Sequence, residues 1–229
     1  MAKTMALAPR QLFKLLFRHY GPRRWWPAKT RFEVVVGAVL TQQTSWTSVE
    51  KAIKQLKKRK LLSPKKLASV RLPSLKPLIR CTGYYNQKAE RLREVVRELE
   101  KRGGLEKFFN QPLEEARKEL LSIRGIGPET ADSILLYAGN NPVFVVDAYT
   151  FRLAERLPLE NAPKKTKYEE MRAYFEQTFE KLPPKRRTKM FNELHALIVE
   201  HCKQVCRKKP LCRECFLKRK CKTCRPQSI

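Results

Sequence analysis

The sequence of 229 residues lacks any long hydrophobic run. Its longest apolar stretch is the seven residues 34–40, far short of the roughly 20 that a membrane-spanning helix needs. The first residues also lack the long apolar segment and small-residue cleavage site of a secretory signal. We therefore expect no membrane partner and a protein that works where it is made, in the cytoplasm if the source is prokaryotic.

Acidic residues are scarce as well, because 22 Asp and Glu stand against 50 Lys and Arg, a net charge of +28. Eleven cations lie between residues 51 and 80 with no acidic residue among them. Ten more lie between residue 202 and the end, with Glu214 as the one acid. Judged by charge alone, such clusters suit a polyanion, either nucleic acid or an acidic membrane surface, and phosphate contacts would make the binding depend on salt.

Strand-like patterns are nearly missing. Only residues 143–146 have a strand-like composition, and no partner strand is evident. Apolar residues recur at helical spacing almost everywhere else, and most prolines fall between these segments. The pattern predicts an all-α chain with two helical lobes and helices over residues 10–20, 32–40, 46–60, 87–102, 113–122, 128–138, 148–157, 168–181 and 185–203.

The most informative segment is LLSIRGIGPETADSILLYA, residues 120–138. Gly125 and Gly127 flank Ile126 in a predicted tight turn, and Pro128 suits the first position of the helix that follows. Backbone amides at such a turn can hold a DNA phosphate without reading the base sequence. An ordinary connection between two helices remains the alternative.

Asp147 follows this turn by 20 residues and emerges from the apolar residues 143–146 at a predicted helix start. A turn and an aspartate in this order resemble the helix-hairpin-helix (HhH-GPD) DNA glycosylases of the endonuclease III superfamily. The resemblance implies that Asp147 is catalytic, stabilising the positive charge that develops on deoxyribose or activating water. A helix cap is a second, compatible role.

The resemblance also implies an architecture, a two-lobed helix-hairpin-helix DNA glycosylase fold with a C-terminal iron–sulfur cluster loop. We expect one lobe over residues 28–135 with the hairpin, a second lobe from residues 1–27 and 136–205, and a cluster loop over 206–224. The partner would be double-stranded DNA containing a damaged base, lying across the mouth between the lobes. The protein would act as a monomer associated with the nucleoid.

Glu129 occupies a position that decides between two reaction types. Relatives that also cleave the strand carry a lysine there, in the pattern G-x-G-x-K-T-A, and this amine forms a Schiff base with the sugar. Here the segment reads GIGPETA. Because a carboxylate cannot form a Schiff base, we expect a monofunctional glycosylase without AP lyase activity.

Tryptophan is confined to the first fifth of the chain, at Trp25, Trp26 and Trp46. The surrounding sequence most resembles the endonuclease III-like 3-methyladenine DNA glycosylases. The resemblance implies that these side chains line the base pocket, where indole faces would attract a cationic alkylated purine such as 3-methyladenine. Alternatives are excision of uracil, hypoxanthine or mispaired thymine, and a non-catalytic module that binds damaged DNA.

Gln42 stands in the context L-x-Q-x-T. The resemblance implies that this side chain enters the gap left by the flipped nucleotide and contacts the orphaned base, although an exposed capping amide would fit as well. Relatives that remove adenine opposite oxidised guanine carry an acid four positions earlier. Ala38 occupies that position here and disfavours their reaction.

Cysteines are nearly absent until residue 202, since Cys81 alone precedes that point. Six crowd into the last 28 residues, which in a chain that is not secreted indicates a metal site. The spacing C-x5-C-x2-C-x5-C permits a [4Fe-4S] cluster or zinc, and the resemblance favours the cluster. The expected ligands are Cys206, Cys212, Cys215 and Cys221, with Cys202 and Cys224 as possible replacements for one of them.

Overall fold

A computed structural model describes residues 6–23, 28–163 and 167–224. Within these ranges the chain is helical, as expected. Its α-helices are α1 Pro9–Tyr20, α2 Arg31–Leu40, α3 Trp46–Lys58, α4 Pro64–Ser69, α5 Leu72–Leu75, α6 Tyr85–Lys101, α7 Leu105–Asn110, α8 Leu113–Ser122, α9 Pro128–Ser133, α10 Ala148–Arg156, α11 Tyr168–Thr178 and α12 Pro184–Gln204. A 3-10 helix covers Lys76–Thr82, and a π-helical turn, Ile134–Ala138, continues α9.

The strand-like residues 143–146 are buried and lie outside the helices. In the described part of the chain the β pairing consists of one isolated parallel bridge between Leu7 and Leu159, so these residues join no sheet. Among the same described residues, no helix combines the length and hydrophobicity needed to cross a bilayer.

The chain divides into two compact units. The terminal unit comprises Met1–Trp25 and Pro142–Ile229, and the inserted unit comprises Trp26–Asn141. This division differs from the expected boundary at residue 135. The helical stretch that begins at Pro128 runs on through the π turn, and the amide of Asn141 donates back to the carbonyl of Leu135 at 3.0 Å.

Helix α2 forms the centre of the inserted unit. Every residue from Phe32 to Leu40 is buried, and Thr30 caps the helix by accepting a hydrogen bond from the amide of Glu33. Burial on all sides explains the continuous apolar run, since a helix with one solvent-exposed face would carry polar residues at helical spacing along that face. The buried carboxylate of Glu33 is paired with Lys57 at 2.9 Å.

The terminal unit is built around α12, which packs against α1 and α10. Buried aromatic rings fill its interior: Phe144, one of the strand-like residues, stacks on Phe175 at 4.5 Å between ring centroids and meets Phe191 edge-on at 5.7 Å. Leu12 and Leu16 of α1 are completely buried in the same unit. Residues from both ends of the chain therefore share one core.

Candidate functional site

The predicted hairpin is present in the inserted unit as α8, a turn at residues 123–127 and α9. Gly125 has φ of +85°, a left-handed conformation that favours glycine. Between the two exposed glycines, Ile126 is buried and its amide donates to the carbonyl of Ile123 at 3.0 Å. The buried side chain of Ile126 therefore anchors the turn, and the two glycines that flank it are exposed to solvent.

A buried ion pair joins the two helices of the hairpin. The Nε and Nη2 atoms of Arg117 in α8 lie 2.7 and 3.2 Å from the two carboxylate oxygens of Asp132 in α9. Paired bonds of this kind fix the orientation of both groups. Glu129, for which the sequence resemblance implies the position of the lyase lysine, is exposed in the first turn of α9, where a negative charge is favourable.

Gln42 supports this turn in the structure. Its Nε2 donates to the carbonyl of Gly125 at 3.1 Å and lies 3.0 Å from the Thr130 hydroxyl, while its Oε1 accepts from Arg91 at 2.8 Å. The Arg91 side chain lies directly against Gly125, where a Cβ atom would collide with it. The amide expected to contact an orphaned base is thus hydrogen-bonded to the hairpin.

Tyr84 is a residue that sequence reasoning overlooked. Its side chain is 63% exposed, and its backbone has φ of +45°, an uncommon left-handed conformation for a non-glycine residue. It precedes α6 immediately. Strained backbone is found preferentially at functional sites, but the exposure of Tyr84 cannot be inferred from the sequence GYYNQKA alone.

Of the three tryptophans expected to line the pocket, Trp25 and Trp26 lie outside the described residues. Trp46 begins α3 and is half-buried. Its Nε1 donates to the carboxylate of Glu50 one turn later, at 3.1 Å. The indole edge of Trp46 is therefore tied to its own helix.

Asp147 caps α10 in the terminal unit. Its Oδ1 accepts hydrogen bonds from the Thr150 amide at 2.7 Å and the Thr150 hydroxyl at 3.0 Å. Its Oδ2 lies 3.4 Å from Nε2 of His195, a buried residue of α12. The side chain of Asp147 is 12% exposed. The helix-cap role is present, and the second carboxylate oxygen is oriented by a histidine that the sequence pattern did not connect with Asp147.

Two opposing effects act on the Asp147 carboxyl group. Burial pushes its pKa upward, but the hydrogen bond and charge of His195, together with the two bonds from Thr150, outweigh burial and lower the pKa below its ordinary value of 3.8. The carboxylate is therefore ionised at neutral pH inside a largely water-free setting. Such a group interacts strongly with any positive charge that forms beside it.

Five cysteines of the terminal unit border one small pocket: Cys206, Cys212, Cys215, Cys221 and Cys224. Cys206, Cys215 and Cys221 are buried free thiols, whereas Cys212 forms a disulfide with Cys224. Cys202 is also buried, and its Sγ lies 3.6 Å from the Tyr149 carbonyl. Hydrogen bonding from Cys202, with added support from Arg156, lowers the pKa of Cys206 to about 6.

The donor set fits an iron–sulfur cluster in kind and number, because four thiolates are needed and five cysteines surround one pocket. The arrangement differs from a formed site in one respect. Within the described residues, no three or more Cys, His, Asp or Glu side chains stand in an arrangement that would hold a metal ion. Cys212 can become a ligand only when its bond to Cys224 is reduced.

Comparison with known proteins gives a consistent picture. Residues 36–181 match the family model described as HhH-GPD superfamily base excision DNA repair protein. The chain is 48% identical over 214 residues to a Methanocaldococcus jannaschii protein provisionally named DNA repair glycosylase MJ1434, covering 92% of this chain and 94% of the relative. It is 33% identical over 194 residues to endonuclease III of Thermotoga maritima, covering 83% and 82%.

Among solved structures, the chain is similar to the H. pylori 3-methyladenine DNA glycosylase MagIII bound to 1,N6-ethenoadenine. The TM-score is 0.74 at 29% identity, and the match covers 86% of this chain and 98% of that one. An endonuclease III–DNA complex has the same fold, with a TM-score of 0.74 at 23% identity.

Proposed function

This chain belongs to the HhH-GPD superfamily of base excision DNA repair proteins, and from that premise we propose that it is a monofunctional DNA glycosylase. Its similarity to DNA glycosylases of this superfamily identifies it as a base excision repair glycosylase. The finer proposal is that it hydrolyses the N-glycosidic bond of a damaged base with water and leaves the strand uncut. The observation that carries this proposal is the ionised, oriented carboxylate of Asp147.

In the proposed reaction, the electrons of the N-glycosidic bond leave with the base and the sugar becomes positively charged. The Asp147 carboxylate stabilises this cation, and its low exposure makes the attraction stronger than it would be in water. Water then adds to the sugar carbon and gives its proton to the carboxylate. Thr150 and His195 hold Asp147 in place for both steps.

The absence of strand cleavage is proposed from Glu129. An exposed carboxylate at the start of α9 stands where a Schiff-base lysine would be, and a carboxylate is not an amine nucleophile. The chain has many other lysines, but this substitution removes the one at the hairpin.

The proposed substrate is an alkylated purine, with 3-methyladenine as the first choice. Its support is the likeness to MagIII, which was solved with a modified adenine. Alkylation of a purine ring nitrogen makes the base positively charged and weakens its bond to the sugar. Aromatic faces attract such a base by roughly 0.5–2 kcal/mol, depending on how far the pair is desolvated.

We assign two side chains of the inserted unit to the DNA. Tyr84 offers an exposed ring on which an unpaired base can stack, a contact of roughly 1–3 kcal/mol. Gln42 can reach the orphaned base only by exchanging its hairpin hydrogen bonds for bonds to that base. In this proposal Gln42 therefore braces the turn before damage is found and contacts DNA afterwards.

The function is tested by challenging the protein with duplexes that carry alkylated, deaminated or mispaired bases. Asp147→Asn keeps a cap for α10 and removes the charge, so we expect base release to fall by about 10²-fold or more while duplex affinity stays the same. Glu155→Gln, an exposed carboxylate on the same helix, is the matched control and should behave like the parent protein. Equal rates for Asp147→Asn and the parent would remove Asp147 from the mechanism.

A [4Fe-4S] cluster is the proposed cofactor, and zinc is the alternative. Cys206, Cys212, Cys215 and Cys221 would hold it. When bound, the cluster would cross-link the loop that displays the exposed cations Arg207, Lys208, Lys209, Lys218 and Arg219.

Iron and sulfide content with visible absorbance tests the cofactor, using protein purified without oxygen. Cys206→Ser and Cys221→Ser should lose iron, whereas Cys81→Ser, an exposed thiol in the inserted unit, should retain all of it. If Cys224→Ser retains its iron, Cys224 is not a ligand and Cys212 remains the proposed fourth ligand. If the parent protein contains zinc and no iron, the bound cofactor is zinc and the proposed cluster is wrong.

A further inference from the structure

Lys88 is completely buried, with 1% of its surface exposed. Lysine is almost never found in this state unless its ammonium group is paired. Its partners are two backbone carbonyls, since Nζ donates to Leu40 at 3.0 Å and to Thr82 at 2.6 Å. Burial, with the nearby charge of Arg91, lowers the pKa of Lys88 to about 8.

The two carbonyls occupy equivalent places in the chain. Leu40 is the last residue of α2, two positions before Gln42. Thr82 is the last residue of the 3-10 helix, two positions before Tyr84. One ammonium group therefore joins the end of the helix that leads to Gln42 with the end of the helix that leads to Tyr84.

Both segments contain strained backbone. Gln43 and Tyr84 have φ of +51° and +45°, and neither is glycine. Left-handed residues of this kind cost of order 1–3 kcal/mol and persist only where the surrounding structure holds them. Lys88 binds the backbone three residues before Gln43 and two before Tyr84, and carbonyls at helix ends need such partners.

We propose that Lys88 is a positioning residue, which fixes the spacing between the backbone segments that carry Gln42 and Tyr84, so that both side chains approach DNA from a fixed base. This inference rests on the proposed function, because it assigns both side chains to the DNA. Lys88 itself touches no substrate: its ammonium group is enclosed by the protein and bonded to two carbonyls. It therefore cannot replace the missing lysine of the hairpin as a nucleophile.

The test compares Lys88→Met, which keeps the length of the side chain and removes the ammonium group, with Lys101→Met at an exposed site on the same helix. Fluorescence of 2-aminopurine beside the lesion reports flipping without requiring base release. We expect Lys88→Met to lower the flipped population by at least about tenfold and Lys101→Met to leave it unchanged. Base release by Lys88→Met should recover when the target base is unpaired, because flipping then costs less.

A double-mutant cycle with Tyr84→Ala distinguishes positioning from general loss of stability. If Lys88 acts through Tyr84, the double variant should flip the base no less than Tyr84→Ala alone. Additive defects, or a normal flipped population in Lys88→Met, would overturn the inference. If Lys88→Met does not fold, Lys88→Gln, which retains one donor group, is measured in the same cycle under the same criteria. Failure of the parent protein to release any base would refute the proposed function but leave the flipping comparison intact.

Discussion

His195 is one of two residues that keep the pKa of Asp147 low. Burial alone would raise this pKa, and the hydrogen bond and charge of His195, with the two hydrogen bonds from Thr150, reverse the shift. With His195 replaced by Gln, burial is opposed only by Thr150, so the carboxylate should protonate at higher pH. We expect the acidic limb of the pH profile of base release to move upward in His195→Gln, with little change well above the new pKa.

Single-turnover rates measured from about pH 4 to pH 8 check this prediction. His19→Gln is the matched control, because His19 is exposed on α1 and distant in sequence from Asp147. An unchanged acidic limb in His195→Gln would mean that His195 packs beside Asp147 without controlling its ionisation.

The two glycines of the hairpin have different tolerances for a side chain. Gly125 has φ of +85° and Arg91 against it, whereas a Cβ at Gly127 would meet open space at an ordinary φ of −92°. Gly125→Ala should therefore lower the free energy of unfolding by about 1–2 kcal/mol or more and displace Arg91. Gly127→Ala should cost less than about 1 kcal/mol. Urea unfolding midpoints of the two variants measure the difference, and equal losses would contradict it.

At the scale of secondary-structure elements, α9 carries the residue from which we propose the absence of strand cleavage. Its first turn carries Glu129, so the parent protein should form no borohydride-trapped adduct with DNA. Glu129→Lys restores an amine at this position, and we expect it to yield a covalent adduct after base release. Glu129→Gln, which removes the charge without adding an amine, should yield none. A strong adduct with the parent protein would refute the monofunctional assignment.

Long helices were predictable from the sequence, and short ones were not. The predicted helix over residues 113–122 matches α8, and the ends of α2 and α10 were placed within one residue. Helices α4, α5 and α7 contain six residues or fewer, which is too short for a repeating apolar pattern to emerge. Pro64 begins α4 and Pro73 is the second residue of α5, so these prolines start short helices and do not merely separate long ones.

The local geometry of the candidate site was predictable where it depends on neighbouring residues, whereas the functional roles of those residues stay predictions. The hairpin turn and Asp147 each lie within one short segment whose residue types specify the geometry. His195 is 48 residues from Asp147, and the bonds of Gln42 to Gly125 and Thr130 span more than 80 residues. Contacts of that range arise from packing of distant helices, which one sequence without homologues does not specify.

At the scale of the whole molecule, a net charge of +28 makes DNA affinity sensitive to salt. Lys51, Lys54 and Lys58 are exposed along α3 at helical spacing. If all three contact phosphates, changing them to Gln should make the slope of log affinity against log salt concentration less negative by about 2–3. The comparison is a triple variant of α8 that adds one net positive charge, in which Gln replaces Glu114, Glu115 and Lys118. An unchanged slope in the α3 variant would place the DNA elsewhere.

The discontinuity of the terminal unit affects the order in which the protein can fold. Helix α1 leaves the ribosome before its main partner α12, which begins about 160 residues later, a delay of roughly 10–30 s at ordinary rates of synthesis. The inserted unit is complete well before that time. During the delay Leu12 and Leu16 lack the core that finally covers them, so the apolar face of α1 stays uncovered on the nascent chain until α12 has been made.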